Sequence, residues 1–120
     1  MKANELRIGN LIIERPSEEN SNIIPVSIHV FTYMKVNYNI FKPIPLTEEW
    51  LIKFGFKKEG LYYKIQIYGD GIPSYIGINV GYGYAELLRN YNHYINSKCE
   101  YVHQLQNLYF ALTNEELTLI

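Results

Sequence analysis

The sequence has little of several residue types, and each scarcity limits what the protein can be. Its 120 residues include one cysteine, one aspartate, three alanines and three arginines. The single cysteine, Cys99, excludes an intrachain disulfide and a cysteine-based zinc site, and is typical of a reducing compartment. No N-terminal hydrophobic run is long enough for a signal peptide, and no stretch approaches the roughly 20 apolar residues of a membrane span. The sequence therefore predicts a cytoplasmic protein without a membrane partner.

An excess of charge of either sign is also missing. The chain has 11 basic and 12 acidic side chains, a formal net charge of −1. A basic surface that would hold nucleic acid by neutralising phosphates is absent in bulk, so nucleic acid is a less favoured partner. The length predicts a single domain over residues 1–120.

What is abundant is tyrosine, with 12 residues. A bias toward codons rich in A and T, together with the strand propensity of tyrosine, explains the number of tyrosines better than a dedicated surface for stacking bases. Alternation of apolar and polar residues predicts strands in several segments. These are residues 6–14 (a bent strand or a strand pair), 26–40 (one long bent strand or a tight pair), 61–68 and 75–80 (a hairpin with a loop at 69–74), and 84–95 (a further strand).

Two segments carry helix signals instead. Thr47 suits the N-cap of a short helix with Glu48 and Glu49 in its first turn, and Gly55 suits its end. Residues 101–112 have apolar positions at the spacing of one helical face. The predicted fold class is α+β: an antiparallel sheet or small barrel, a short central helix, and a C-terminal amphipathic helix packed on the sheet.

The polar face of the C-terminal helix carries no charge. His103, Gln104, Gln106 and Asn107 lie opposite the apolar stripe, whereas a solvated helix face usually carries charged residues. We therefore expect this second face to contact another molecule or a second subunit.

A glycine- and tyrosine-rich hairpin is the second candidate binding feature. Glycines at 69, 71, 77, 81 and 83 would let a ligand approach the backbone, and Tyr82 or Tyr84 could stack on a ring. The simpler interpretation is a turn, a bulge and a strand end. The outward-facing residues that would line the same sheet face are Tyr62, Lys64, Gln66, Tyr68 and Asn79.

Residue patterns typical of catalysis or metal binding are missing. His29, His93 and His103 lie far apart, without ligand spacing or a nearby carboxylate, so we predict no metal site. Cys99 would be activated only if the start of a helix lowered its pKa. No pairing of a nucleophile with a base is visible, and we therefore predict a protein that is not an enzyme and binds no cofactor.

Four phrases carry a family resemblance: RIGN at 7–10, PIPLTEEWL at 43–51, FGF at 54–56 and YVHQLQNLYFALT at 101–113. With them the chain resembles a family of short proteins from Bacteroidetes genomes and their phages, for which no activity is known. Members often have glycine where this chain has Asn114, and both residues accept the left-handed conformation. The resemblance implies a phage or mobile-element setting but no catalytic residue, and it does not extend to residues 57–97.

These observations lead to three function hypotheses. The first is a small non-catalytic binding protein that occupies or sequesters a host (defence) component, either a host protein or a small nucleotide signal, with a homodimer left open. The second is a nucleic-acid-binding accessory protein that uses sheet tyrosines and lysines at 35, 53, 57, 58 and 64. The third, less favoured, is a hydrolase built on His103 or Cys99.

Overall fold

Two open antiparallel sheets and three α-helices make up the fold in the computed structural model, which describes residues 1–15, 22–37, 40–67, 71–89 and 92–120. The helices are α1 (Ile28–Asn37), α2 (Glu48–Lys53) and α3 (Val102–Thr113). The strands are β1 (Leu11–Glu14), β2 (Asn22–Pro25), β3 (Phe41–Lys42), β4 (Lys57–Glu59), β5 (Tyr62–Ile67), β6 (Ser74–Asn79), β7 (Tyr84–Arg89) and β8 (Asn92–Lys98). The α+β prediction is confirmed. The small-barrel alternative is wrong, because the strand orders β2-β1-β3 and β4-β5-β6-β7-β8 both leave free edges.

The larger sheet is a meander in which each strand pairs with the next along the chain. Tyr63 lies opposite Ile78 in the β5–β6 pair, and Ile76 lies opposite Leu87 in the β6–β7 pair. The predicted hairpin is confirmed as β5 and β6, although its loop lies partly outside the described residues. The segment expected to form one further strand forms two, β7 and β8.

One face of this sheet forms the main core. Period-two alternation turns one set of side chains from β5, β6 and β7 toward the helices, where they are buried: Tyr63, Ile67, Ile76, Ile78 and Ala85. Leu51 of α2, and Val102 and Leu105 of α3, are fully buried against them. The opposite face carries the residues of the other register, among them the exposed Gln66 and Tyr84.

The short helix α2 forms as its end signals predict. The hydroxyl of Thr47 accepts a hydrogen bond from the backbone N–H of Trp50 at 3.5 Å. Gly55 follows the last turn with φ +93°, a conformation that side chains with a Cβ rarely adopt. Leu51 and Phe54 anchor the helix to the core.

The strand prediction for residues 26–40 is wrong, because the segment contains the helix α1 and not a long strand or a tight strand pair. The buried residues described in this segment are Val26, Val30 and Met34. Val30 and Met34 are spaced by four and so lie on one side of α1, and Val26 lies just before the helix begins. Ile28, which strand alternation would place on the same face as Val26 and Val30, is 69% exposed.

A second core lies between α1 and the small sheet. It contains Leu6, Ile12, Val26, Val30, Met34 and Phe41. Strand β1 connects the two cores, because Ile12 points into the second one while Leu11 and Ile13 pack against the first.

The single-domain prediction stays a prediction. In the described part of the chain, no helix combines the length and apolar character needed to cross a bilayer.

The helix α3 covers residues Val102–Thr113, one position later than expected. Its start is capped by the side chain of Gln104, whose Oε1 accepts from the backbone N–H groups of Glu100 at 2.8 Å and Tyr101 at 3.1 Å. Asn114 ends the helix in the left-handed conformation with φ +59°, which asparagine tolerates better than most residues with a Cβ.

Candidate functional site

The uncharged face of α3 does contact something, but the neighbour is the chain's own N-terminal segment. His103 is 1% exposed and Gln106 is 3% exposed. Residues 5–11, which we call the N-terminal brace, lie across this face. The expectation that the face meets another molecule or subunit is therefore wrong. This face had been the reason to consider a homodimer, and it no longer supports one.

Side-chain amides hold the brace in place. Gln106 Oε1 accepts from the backbone N–H of Leu11 at 2.8 Å, and Gln106 Nε2 donates to the carbonyl of Gly9 at 3.5 Å. Asn107 Oδ1 accepts from Arg7 Nε and from Asn10 Nδ2, each at 2.9 Å, while Asn107 Nδ2 donates to the carbonyl of Glu5 at 2.8 Å. The amide groups that suggested a partner surface therefore bond to backbone and side-chain groups of the chain itself, among them the buried Asn10.

Arg7 completes the brace. Its guanidinium donates to Glu116 Oε1 at 2.7 Å and Oε2 at 3.2 Å, and its Cζ lies 4.1 Å from the ring centroid of Phe110. The hydrogen bond from Arg7 lowers the pKa of the Glu116 carboxyl below its ordinary value. The Glu116 carboxylate, the Phe110 ring and the Gln106 carbonyl thus hold the Arg7 guanidinium, and they join it to residues about 100 positions away in the sequence.

Neither candidate for a hydrolytic mechanism is positioned to react. Cys99 is 2% exposed, and burial raises the pKa of its thiol to about 12. Burial also lowers the pKa of His103, although the Glu5 carboxylate, 3.7 Å from Nε2, acts in the opposite direction. A side chain closed off from solvent has no route to substrate, so the structure gives the hydrolase hypothesis no support.

The burial of Cys99 leads to a labelling prediction. At pH 8 a thiol reagent such as 5,5′-dithiobis(2-nitrobenzoate) should leave the native protein unmodified over minutes, and should titrate one thiol per chain in 6 M guanidinium. The reason is that the reactive thiolate is scarce when the pKa is about 12 and the sulfur is covered. Rapid labelling of native protein would show that this part of the core opens readily.

The predicted glycine- and tyrosine-rich hairpin forms a cleft of about 320 Å³ on the outer face of the large sheet. Its lining, which we call the tyrosine cleft, consists of Tyr62, Asn79, Tyr82, Tyr84 and Glu86. Of the predicted binding residues, the structure thus brings Tyr62, Asn79 and Tyr82 together.

Two glycines give the cleft its shape. A Cβ at Gly77 would lie 2.7 Å from Leu88 Cδ1 and 3.6 Å from Tyr62 Cδ1, so these side chains close over bare backbone. Gly83, at φ +70°, ends the 3₁₀ turn of residues 80–82 and lets the chain return as β7. Asn79 Oδ1 accepts from the backbone N–H of Gly81 at 3.1 Å and holds the turn. The result is that Tyr82 projects from the sheet with 75% of its surface exposed.

The electrostatic character of the cleft is negative. The Glu86 carboxylate is the largest cause that raises the pKa of the Tyr62 phenol, and burial and a hydrogen bond to Glu86 add to it. Among the described residues that line the cleft none is basic. Glu100 lies next to Gly83, its Cγ 3.1 Å from the place of a Cβ there. The cleft therefore favours a cationic or hydrogen-bond-donating group over an anion.

Lys64 and Gln66, which were also predicted for this face, are not part of the cleft lining. Lys64 pairs with Glu59, Nζ to Oε2 at 3.6 Å, and Gln66 is exposed farther along β5. Tyr68 lies outside the described residues. Sequence reasoning missed Glu86 as a site residue, although Glu86 follows Tyr84 by two positions and so shares its strand face.

Of the lysines proposed to hold nucleic acid, Lys57 and Lys64 are cross-strand partners in β4 and β5, whereas Lys53 lies on α2. Lys53 lies 5.2 Å from the ring centroid of Trp50, and Lys58 lies 5.9 Å from that of Tyr63. Lys64 is paired with Glu59 on the outer sheet face, and Lys57 is exposed on the edge strand β4. The side chain of Lys35 lies outside the described residues. One adjacent pair of lysines, of which Lys64 is paired with a carboxylate, is too small a group to follow a phosphate backbone.

The other histidines do not form a metal site. His29 lines a separate cleft of about 260 Å³ together with Glu14, Arg15 and Tyr33. The side chain of His93 lies outside the described residues. Across the described ranges no three His, Cys, Asp or Glu side chains are grouped so that they could hold a metal ion.

Comparison with known proteins adds no relative to this description. No family model, no curated protein and no solved structure matches the chain.

Proposed function

We propose that this is a non-catalytic binding protein that contacts a partner protein through the tyrosine cleft. The observation that carries the proposal is the grouping of Tyr62, Tyr82 and Tyr84 around one open cleft on the uncovered face of the sheet. Tyrosine is enriched at the energetic centres of protein interfaces, because it offers a large rigid surface with a polar end. Tyr82 and Tyr84 keep 75% and 47% of their surfaces exposed.

The charges around the cleft favour a protein over a nucleotide or a nucleic acid. A phosphate would need an available cation, yet Lys64 pairs with Glu59 at 3.6 Å and Lys98 pairs with Glu100 at 3.5 Å. Such exposed pairs are weak individually, but the carboxylates still offset the lysine charges that would attract phosphate. The nucleotide-signal and nucleic-acid versions of the binding hypothesis are therefore less well supported.

The biological setting of the proposal comes from the family resemblance. If the protein acts in a Bacteroidetes host as a phage-derived product, its partner is a host component that it occupies or sequesters. Binding without chemistry suits the described site, since the groups around the cleft hold and orient a surface but include no pairing of a nucleophile with a base.

A pair of tyrosine variants tests this function. Tagged wild-type protein, Tyr82→Ala and Tyr33→Ala would each be used to capture proteins from a Bacteroidetes lysate, followed by quantitative mass spectrometry. Tyr33 is a matched control, because it is 50% exposed but lies on α1, away from the tyrosine cleft. We expect a protein that wild type and Tyr33→Ala recover equally and that Tyr82→Ala recovers at least about tenfold less, the loss typical of a central interface tyrosine.

The captured protein would then be purified and mixed with each variant in a direct binding assay. Reconstituted binding that depends on Tyr82 supports the proposal. Equal binding by Tyr82→Ala would contradict it, as would a captured species that proves to be a nucleic acid whose binding falls steeply with salt.

A further inference from the structure

The tyrosine cleft has the chemistry of a receptor for an organic cation. Three tyrosines line it, each with a phenol ring whose π-system is negative on its faces, and Glu86 lines it with them. A cation over an aromatic face is attracted by the ring quadrupole, and a nearby carboxylate adds to the attraction.

The same chain already uses this interaction internally. The guanidinium of Arg7 lies 4.1 Å from the Phe110 ring centroid while it donates to Glu116. Ring and carboxylate thus hold one arginine from two sides at the N-terminal brace. The tyrosine cleft offers the same two partners, rings and a carboxylate, on a surface that is open to a second protein.

Surrounding charges act in the same direction. Glu86 is the only charged side chain in the described lining of the cleft, and Glu100 lies beside Gly83 at its margin. Lys57 lies opposite Lys64 at the edge of the sheet, while Lys64 and Lys98 are each paired with a carboxylate. An incoming cation therefore gains attraction without facing an unpaired positive charge from these two lysines.

We infer that the tyrosine cleft receives the guanidinium of an arginine side chain from the partner protein. This inference rests on the proposed function and names the chemistry of the partner. A guanidinium is planar, so it stacks on a tyrosine ring and directs its N–H donors in the ring plane toward Glu86. A carboxylate has two oxygens with about four lone-pair positions, so a guanidinium can share it with the Tyr62 hydroxyl.

The experiment compares arginine with its neutral isostere. Isotope-labelled protein would be titrated with N-acetyl-arginine amide and, separately, with N-acetyl-citrulline amide, while amide chemical shifts are followed by NMR. We expect saturable shifts at Gly83, Tyr84 and Glu86 with arginine, and binding at least about threefold weaker with citrulline. Glu86→Gln keeps an oxygen acceptor for Tyr62 but removes the charge, and should weaken arginine binding by a similar factor.

The control variant is Glu49→Gln, which removes an exposed carboxylate from α2, the helix packed on the opposite face of the sheet. Arginine binding should be unchanged in this variant. Equal shifts with arginine and citrulline, or no shift at the cleft amides, would overturn the inference.

Failure of the inference can be told apart from failure of the proposed function. If Tyr82→Ala abolishes partner binding while arginine amide leaves the cleft unperturbed, the cleft binds a protein through other chemistry and the guanidinium assignment is wrong. If arginine amide binds but Tyr82→Ala leaves partner binding intact, the proposed function is wrong.

Discussion

Replacing Asn107 by alanine is expected to lower the free energy of unfolding by about 3 kcal/mol. The change removes the acceptor of Arg7 Nε and Asn10 Nδ2 and the donor to the Glu5 carbonyl. Asn10 is fully buried, so its amide nitrogen loses a partner that water cannot replace. Unsatisfied buried donors cost about 1–3 kcal/mol each, more than the mean worth of a hydrogen bond.

Urea unfolding followed by circular dichroism would measure the loss. Asn4→Ala is the matched control, since it makes the same chemical change at an exposed position of the same N-terminal segment, and it should shift stability by less than about 0.5 kcal/mol. Intrinsic helix propensity acts against the prediction, because alanine is the better helix former at position 107. A loss below about 1 kcal/mol would show that water replaces the Asn107 contacts.

The location of the loss is also testable. Hydrogen exchange in Asn107→Ala should accelerate at the backbone N–H groups of Arg7 and Leu11, which donate to Asn10 Oδ1 and Gln106 Oε1. Amides in β5 and β6 should change only by the global loss of stability, because no brace residue is among the buried residues of that core, although the partly buried Leu11 packs against it. This pattern would identify the brace as a unit that opens separately from the sheet.

Local signals in the sequence were sufficient for some elements. Helix α2 could be predicted from Thr47 and Gly55 because both ends of the helix are specified by neighbouring residues. The hairpin of β5 and β6 could be predicted because Tyr63 and Ile67 alternate with polar residues and are buried. The shared sheet face of Tyr62 and Asn79 followed from the same alternation, whereas Tyr82 was predicted from the glycines around it.

The segment that contains α1 shows why pattern alone can mislead. Val26, Val30 and Met34 satisfy a spacing of four as well as a spacing of two, and β-branched and aromatic residues throughout the segment favour a strand. The signal that could have decided is Ser27, whose Oγ accepts from the backbone N–H of Val30 at 3.4 Å, as residues at the start of helices do. Burial against Ile12 and Phe41 then outweighs strand propensity.

The brace could not be predicted from the sequence. Its contacts join residues about 100 positions apart, such as Arg7 with Glu116 and Asn10 with Asn107. The missing charge on α3 was a valid sign that the face is covered, because Gln106 and His103 are buried. The identity of the cover depends on where β1 enters the fold, and no local pattern specifies that position.

His103, which lies under the brace, has a buried ring whose nitrogens make no described hydrogen bond. It is 1% exposed, and among the described contacts neither ring nitrogen has a hydrogen-bond partner. Nε2 lies 3.7 Å from Glu5 Oε2, beyond hydrogen-bonding distance, and the ring stacks on Tyr101 with centroids 5.9 Å apart. A buried polar group without partners costs about 1–3 kcal/mol, which stacking offsets only in part.

His103→Leu is therefore expected to raise the free energy of unfolding at pH 7 by about 1 kcal/mol. It should also remove part of the pH dependence. Burial lowers the pKa of His103 from 6.5, with the N-terminal amine adding to this and Glu5 opposing it, so the unfolded chain takes up the proton first as the pH falls. Above about pH 6.5 this titration leaves the free energy of unfolding unchanged. As the pH falls from there toward the folded-state pKa, the free energy of unfolding decreases, with a slope of at most about 1.4 kcal/mol per pH unit.

Urea unfolding at pH values from 7.5 to 5 would separate this effect from that of Glu116. The folded pKa of Glu116 is lowered from 4.5, so its contribution is complete above that pH and is lost only below it. His29→Leu, at an exposed position of α1, is the control and should retain the wild-type slope. A wild-type slope in His103→Leu would show that His103 takes up its proton equally in the folded and unfolded states. The brace would then leave the pKa of His103 unchanged, because it opens too easily to keep solvent from the ring.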